Sequence, residues 1–217
     1  DIPSVCAQKL MEGKVDIGLV PVAVIPKLKE SYIISDYCIG AVGKVSSVML
    51  YSQVPLSSIK TILLDYQSRT SVMLVRVLAQ EFWKISPEWV PASADFENNI
   101  QDNTAAVIIG DRTFGLENKY AYVYDLSQEW EKFTGLPFVF ACWVANRKLP
   151  EAFVTDFNKV LKYGIDHRSE LIEELSRKSA YDTDIEKYLT RSISYAYDSP
   201  KKRALTLFLD YVGKLKQ

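Results

Sequence analysis

Asp65-Tyr66-Gln67-Ser68-Arg69-Thr70-Ser71 gathers an acid, a guanidinium and three aliphatic hydroxyls into one short run. It follows the apolar segment Thr61-Ile62-Leu63-Leu64 and precedes a stretch in which Leu74, Leu78 and Phe82 recur at helical spacing. Ser68 then reads as an N-cap, with the backbone N–H groups of Thr70 and Ser71 free at a helix N-terminus. Such a terminus suits a carboxylate or phosphate, and Arg69 either touches that anion or pairs with a surface acid. The same spacing also describes a helix that is merely capped.

Other polar turns offer related chemistry. Gly43 to Ser47 carries Ser46 and Ser47 as hydroxyl donors ahead of a strand, or as hydroxyls facing water. Asp111, after Ile109-Gly110, is a helix N-cap or a cleft acid. Thr134-Gly135-Leu136-Pro137 either places Thr134 and backbone N–H groups at a cleft mouth or only turns the chain back into a sheet. The single histidine, His167, lies beside Asp166 and Arg168 and reads as a solvated helix position. One histidine and three scattered cysteines (Cys6, Cys38, Cys142, with no CxxC) give no zinc site and no Ser-His-Asp triad, so no metal is expected. Neither GxGxxG nor GxxxxGK[ST] occurs, which disfavours nucleotide phosphates. The residues alone therefore suggest anion binding and name no reaction.

The elements that position these turns alternate. Ile2 to Glu12 reads as a helix, with Val5, Leu10 and Met11 apolar. Val15 to Pro21 is β-rich, and Val22 to Leu28 is a short helix. Strands are expected at Ser47–Tyr51, Thr61–Asp65, Ala105–Ile109, Tyr120–Tyr124 and Phe138–Val144. Helices are expected from Ser68 to about Trp83 and over Ser127–Phe133. This alternation predicts parallel sheets covered on both faces. After Pro150, four amphipathic segments follow, marked by Phe153/Phe157/Val160/Leu161, Leu171/Ile172/Leu175, Ile185/Leu189/Ile193 and Ala204/Phe208/Tyr211/Val212/Leu215. Ser47–Gln53 and Phe138–Arg147 read as segments crossing between lobes. The expected division is residues 1–54 with 138–217 as one lobe and 55–137 as the other, with a ligand cleft between them.

Composition narrows the partners. Hydrophobic residues make up 48% of the 217, enough for a packed core, and the formal net charge of −1 argues against duplex nucleic acid. The longest apolar run, Leu136 to Ala145, is far shorter than the roughly 20 residues that span a bilayer. No charged segment followed by an apolar one opens the chain, so no export leader is expected, and unpaired cysteines fit a reducing, cytoplasmic setting.

Taken together, Asp1-Ile2-Pro3-Ser4, Gly13 through Pro21 and Val45 through Ser52 resemble the chorismate dehydratases of the futalosine route to menaquinone. So do Asp65 through Ser71, Ile109-Gly110-Asp111, Tyr124-Asp125-Leu126 with Trp130, Thr134 through Ala141, and Tyr188-Leu189 with Ile193-Ser194-Tyr195. The resemblance covers nearly the whole chain in order. It implies an α/β, two-lobed type II periplasmic-binding-protein-like fold with hinge strands and a helical C-terminal tail.

The resemblance also implies a cytoplasmic carbon–oxygen lyase, without cofactor, that removes water from chorismate to give 3-(1-carboxyvinyloxy)benzoate. Ser68, Thr70 and Ser71 with the helix N-terminus would hold one substrate carboxylate. Ser47 would meet the other carboxylate or the leaving hydroxyl as the catalytic residue. Ser46, Arg69, Asp111, Thr134, Gly135 and Leu136 complete the expected substrate-binding set, with Arg69 bracing the loop or touching substrate. Family members carry an earlier strand and loop with a cleft asparagine, so about 40 residues are expected before Asp1, where they would cover open sheet edges. A substrate carboxylate acting as the base would explain why no suitable histidine is present. Two other readings share the fold: a solute-binding protein of a transporter for a small carboxylate, and the sister enzyme that makes 1,4-dihydroxy-6-naphthoate with a cleft histidine.

Overall fold

The computed structural model describes residues 1–116, 118–178 and 185–215. The chain opens with α1 (Pro3–Met11), β1 (Ile17–Pro21), a 3-10 segment (Val22–Lys27), β2 (Tyr32–Ala41), β3 (Val48–Ser52) and β4 (Thr61–Leu64). Helix α2 (Thr70–Val77) runs on as a π-helical segment (Leu78–Trp83) and is followed by β5 (Glu88–Pro91), β6 (Thr104–Ile109), β7 (Tyr122–Asp125), α3 (Leu126–Thr134) and β8 (Phe138–Ala145). The tail comprises α4 (Glu151–Asp166), α5 (Arg168–Lys178), α6 (Ile185–Lys187), a π turn (Tyr188–Ser192), β9 (Ser194–Ala196) and α7 (Ser199–Lys214). Among the described residues no helix is long and apolar enough to cross a membrane.

The strands form two sheets, ordered β1-β8-β2-β9 and β5-β4-β6-β3-β7. These are the sheets of the two lobes of a type II periplasmic-binding-protein-like fold. The first is antiparallel throughout; parallel pairing is confined to β4 with β5 and with β6 in the second. This corrects the expectation of parallel sheets. β1, β2, β8 and β9 come from distant parts of the chain and meet head to tail, so local strand–helix alternation did not fix their direction. The chain passes between sheets at residues 42–47 and 135–137. Each segment read as a crossing strand therefore pairs within one sheet: β3 with β6 and β7, and β8 with β1 and β2.

Two further expectations are corrected. β2 was not anticipated, because Ser35, Asp36 and Gly40 interrupt its apolar alternation. The third tail segment is not a continuous amphipathic helix; it is a short helix and π turn leading into β9, which pairs with β2 at Tyr37 and Gly40. The amphipathic stripe read over α4 is only partly covered: Phe153 is 45% and Val160 69% exposed, while Phe157 and Leu161 are half-buried and Phe157 packs edge to face on Trp143.

One core joins the lobes. Trp130 of α3 is fully buried and meets Phe138 of β8 and Phe208 of α7 edge to face, at 5.5 and 5.9 Å between centroids. Its indole N–H donates to the Pro137 carbonyl, fastening α3 to the second crossing segment. Burying such a ring removes about 150–250 Å² of surface from water, which makes this contact a principal tie between the lobes.

Candidate functional site

Two carboxylates of the second lobe shape the loops that face the first. Asp65, at the end of β4, is buried; its Oδ1 accepts the Gln67 N–H at 2.9 Å and its Oδ2 the Ile109 N–H at 3.0 Å. Arg112 also binds Oδ2 and reaches Glu97 at 3.1 Å, so the Asp65 charge is matched. The loop carrying Ser68 is thereby tied to the end of β6. Asp125 caps α3, its Oδ1 accepting from Ser127 and Gln128 at 3.0 and 3.1 Å. Its Oδ2 accepts the Val45 and Ser46 N–H groups at 2.8 and 2.7 Å, which fixes the first crossing segment with Ser46 at a φ of 64°. Burial raises the Asp125 carboxyl above its ordinary value, and the four N–H donors partly offset this.

These anchors deliver Ser47, Ser68, Thr70 and Ser71 to a cavity of about 500 Å³ between the lobes. Its apolar wall includes Leu19, Phe140 and Trp143 of the first lobe, and the volume is that of a small-molecule site. The expected site residues therefore divide. Ser47, Ser68, Thr70 and Ser71 come together, while Ser46, Arg69, Asp111, Thr134, Gly135 and Leu136 do not line this cavity.

Each exclusion has a physical reason. Ser46 is held by its backbone, with its N–H on Asp125 and its carbonyl accepting from Thr113. Arg69 is exposed and lines a separate cavity of about 260 Å³ with Lys27 and Arg76. Asp111 is exposed in a one-turn 3-10 helix without a side-chain cap, so it is not the expected N-cap; it does not line the cavity, although it follows the lining Gly110 and its charge reaches Tyr188. The Thr134 hydroxyl donates to the Trp130 carbonyl and accepts from Leu136 N–H, and Gly135 ends α3 at a φ of 70°: this segment is the turn, not a ligand loop. His167 ends α4, its ring stacked on Tyr163, away from the cavity.

The helix terminus is partly occupied. Ser68 Oγ accepts the Ser71 N–H at 3.0 Å, so that N–H is not free as the sequence suggested; the capping serine itself takes it. The Thr70 hydroxyl donates to the Phe140 carbonyl at 2.9 Å and lies 3.4 Å from the Ala23 N–H, bridging α2 to the first lobe. A register shift between Ile39 and Gly40 leaves Phe140 outside the β2–β8 pairs, which frees its carbonyl for this bond. The Ser71 hydroxyl and the Thr70 N–H have no hydrogen-bond partner among the described residues.

Tyr188 was missed as a site residue. It lines the cavity and its hydroxyl lies 2.8 Å from Ser47 Oγ. The only sequence signal was its place in the Tyr188-Leu189…Ile193-Ser194-Tyr195 pattern of the tail. The cavity's one acid among the described residues is Asp1, paired with Lys9 at 2.6 Å. No three His, Cys, Asp or Glu side chains cluster as metal ligands would among those residues. The arrangement can grip an apolar-bodied anion by hydroxyls and an amide, and can position a hydroxyl proton.

Comparison with known proteins agrees with this architecture. A protein of Archaeoglobus fulgidus superposes with a TM-score of 0.72 at 15% identity, covering 99% of this chain and 84% of that one. The alkanesulfonate-binding protein of Xanthomonas axonopodis pv. citri, solved with MOPS, gives 0.60 at 16% identity, with 100% and 81% covered. The chorismate dehydratase of Thermus thermophilus is 24% identical over 232 residues, spanning 98% of this chain and 85% of the relative. A family model described as menaquinone biosynthesis matches residues 1–214, and the chain belongs to that family.

Proposed function

We propose that this protein is a cytoplasmic, cofactor-independent chorismate dehydratase that yields 3-(1-carboxyvinyloxy)benzoate. The observation that carries the reading is the convergence of Ser47, Ser68, Thr70 and Ser71 on one interlobe cavity with apolar walls. A dicarboxylate with a ring body fits that combination. The Thr70 N–H and the Ser68 and Ser71 hydroxyls at the N-terminus of α2 receive one carboxylate. Ser47 meets the second carboxylate or the departing hydroxyl. Loss of water makes the ring aromatic, so the protein's task is to hold the ring, stabilise the leaving oxygen and exclude solvent. With Asp1 paired and His167 elsewhere, a carboxylate of the substrate itself is the base in this reading.

The test is turnover of chorismate, followed by the appearance of the aromatic product. Ser47→Ala should lower kcat by about 10²-fold, the usual loss when one donor to a developing oxyanion is removed. Thr70→Val should lower kcat/KM by opening the interlobe bond to Phe140. Two fully active variants reject the assignment, and chorismate bound by the wild type without product would favour transport over catalysis.

A further inference from the structure

Among the described residues the tail supplies the one phenol of the cavity, and it touches the hydroxyl assigned to chemistry. Tyr188 OH lies 2.8 Å from Ser47 Oγ, and its ring meets Phe114 edge to face at 5.4 Å between centroids. The turn that carries it is tied to the first lobe: Ile193 N–H donates to the Tyr188 carbonyl at 3.1 Å, and β9, immediately after, pairs with β2. Ser47 and Phe114, by contrast, flank strands of the second sheet, and Ser47 accepts the Gly110 N–H through its carbonyl at 2.8 Å. The contact therefore spans the cleft.

Its polarity follows from the two groups. A phenol is the more acidic hydroxyl and the better donor, and an aliphatic hydroxyl oxygen is the better acceptor. Tyr188 thus donates to Ser47, and the Ser47 proton is left for another acceptor. No other described side chain or carbonyl receives it, and Ser47 lines the cavity. Burial raises the Tyr188 phenol above its ordinary value; the bond to Ser47 lowers it and the nearby Asp111 charge raises it, so the donor keeps its proton at working pH.

We propose that Tyr188 is a positioning residue that orients the Ser47 hydroxyl proton into the cavity, toward the oxygen of the substrate that Ser47 serves. Because Tyr188 arrives from the opposite lobe, that orientation exists only while the lobes meet. The role in turnover rests on the dehydratase reading above; the orientation of Ser47 does not.

Tyr188→Phe keeps the ring and its packing on Phe114 and deletes the donor. It should lower kcat about five- to tenfold, the worth of one neutral hydrogen bond, with KM nearly unchanged and the melting temperature within about 2 °C. The Tyr188→Phe/Ser47→Ala double variant should be no slower than Ser47→Ala alone, because Tyr188 acts through Ser47. An unchanged kcat, or losses that multiply in the double variant, overturns the proposal. A crystal structure of Tyr188→Phe decides it without activity: Ser47 should leave its rotamer or gain a new donor, and an unmoved Ser47 lacking any donor overturns it. A wild type that does not convert chorismate removes the dehydratase reading and leaves that structural result to decide the orientation.

Discussion

Asp125→Asn separates the two tasks that one carboxylate performs. Asparagine is as good an N-cap as aspartate, so its single amide oxygen can keep the Ser127 and Gln128 N–H groups of α3. The amide nitrogen then faces the Val45 and Ser46 N–H groups, and donor meets donor. Two charge-assisted bonds, each worth about 1.5–3 kcal/mol, are lost from the first crossing segment. Part of that loss is returned, because the side chain is 4% exposed and a neutral amide avoids the desolvation of a buried charge. The net expectation is about 2–3 kcal/mol of destabilisation by urea unfolding, with an unchanged m-value. Activity should fall further than stability. Ser46, released from its positive φ, lets Ser47 shift, and a displacement near 1 Å costs about 10²-fold in rate. A variant within about 0.5 kcal/mol of wild type, or one that is destabilised yet turns over chorismate at the wild-type rate, would refute the reasoning.

Other perturbations probe the scaffold and the cavity separately. Gly40→Ala places a Cβ 2.7 Å from the Phe138 carbonyl oxygen and 3.2 Å from the Lys201 side chain, so β2 and β8 must part. Calorimetry should show a loss of roughly 2 kcal/mol and a melting temperature about 5 °C lower. Cys6 is half-buried and lines the cavity, whereas Cys38 and Cys142 are buried. Alkylation of the folded protein at pH 8 should label Cys6 alone, read by mass spectrometry, and chorismate should slow it; labelling of Cys6 indifferent to chorismate counts against the cavity as its site. Burial pushes the Cys38 thiol from 9.0 up to about 12, so the fold keeps a proton that the unfolded chain releases above pH 9. This contribution is complete below that pH and declines as pH rises toward 12, which pH-dependent urea unfolding should register.

What could be read from the sequence was local. The Thr61–Leu64 strand, the turn at Asp65–Ser71 and the helix beyond are encoded within about twenty consecutive residues, as an apolar run, a capping serine and a 3.6-residue period. The Ser68 hydroxyl takes a helix N–H as a cap does, though the N-cap position itself falls one residue later, on Arg69. What was not legible depends on partners far away in the chain. β2 is a strand because β8 and β9 flank it, not because its own alternation is clean. The Thr70 hydroxyl, expected to face an anion, instead serves a carbonyl freed by a bulge seventy residues later. Tyr188 becomes a site residue only because the tail folds back across the cleft, at a separation of 141 positions from Ser47.

That same geometry bears on how a cavity with so few titratable groups would support the elimination proposed for it. Apart from Asp1, whose carboxylate is paired with Lys9, and the Cys6 thiol, its polar side chains among the described residues are hydroxyls, and buried groups steady the backbone beside them: Asp125 takes the N–H of Ser46 next to Ser47, Asp65 that of Gln67 next to Ser68, and the Phe140 carbonyl takes the Thr70 hydroxyl. Apart from the Lys9-paired Asp1, the charge nearest these hydroxyls thus sits behind the wall, where it fixes positions without competing for a bound anion's own negative groups. An unpaired aspartate in the cavity wall would repel a dicarboxylate, and an unpaired lysine would hold it as firmly before reaction as during it. Neutral donors locked in place favour the state in which charge gathers on the departing oxygen, and they gain this from preorganisation rather than from titration. If the dehydratase reading holds, the enzyme's sensitivity to mutation should therefore be greatest at Asp125 and Asp65, two residues that never touch the substrate.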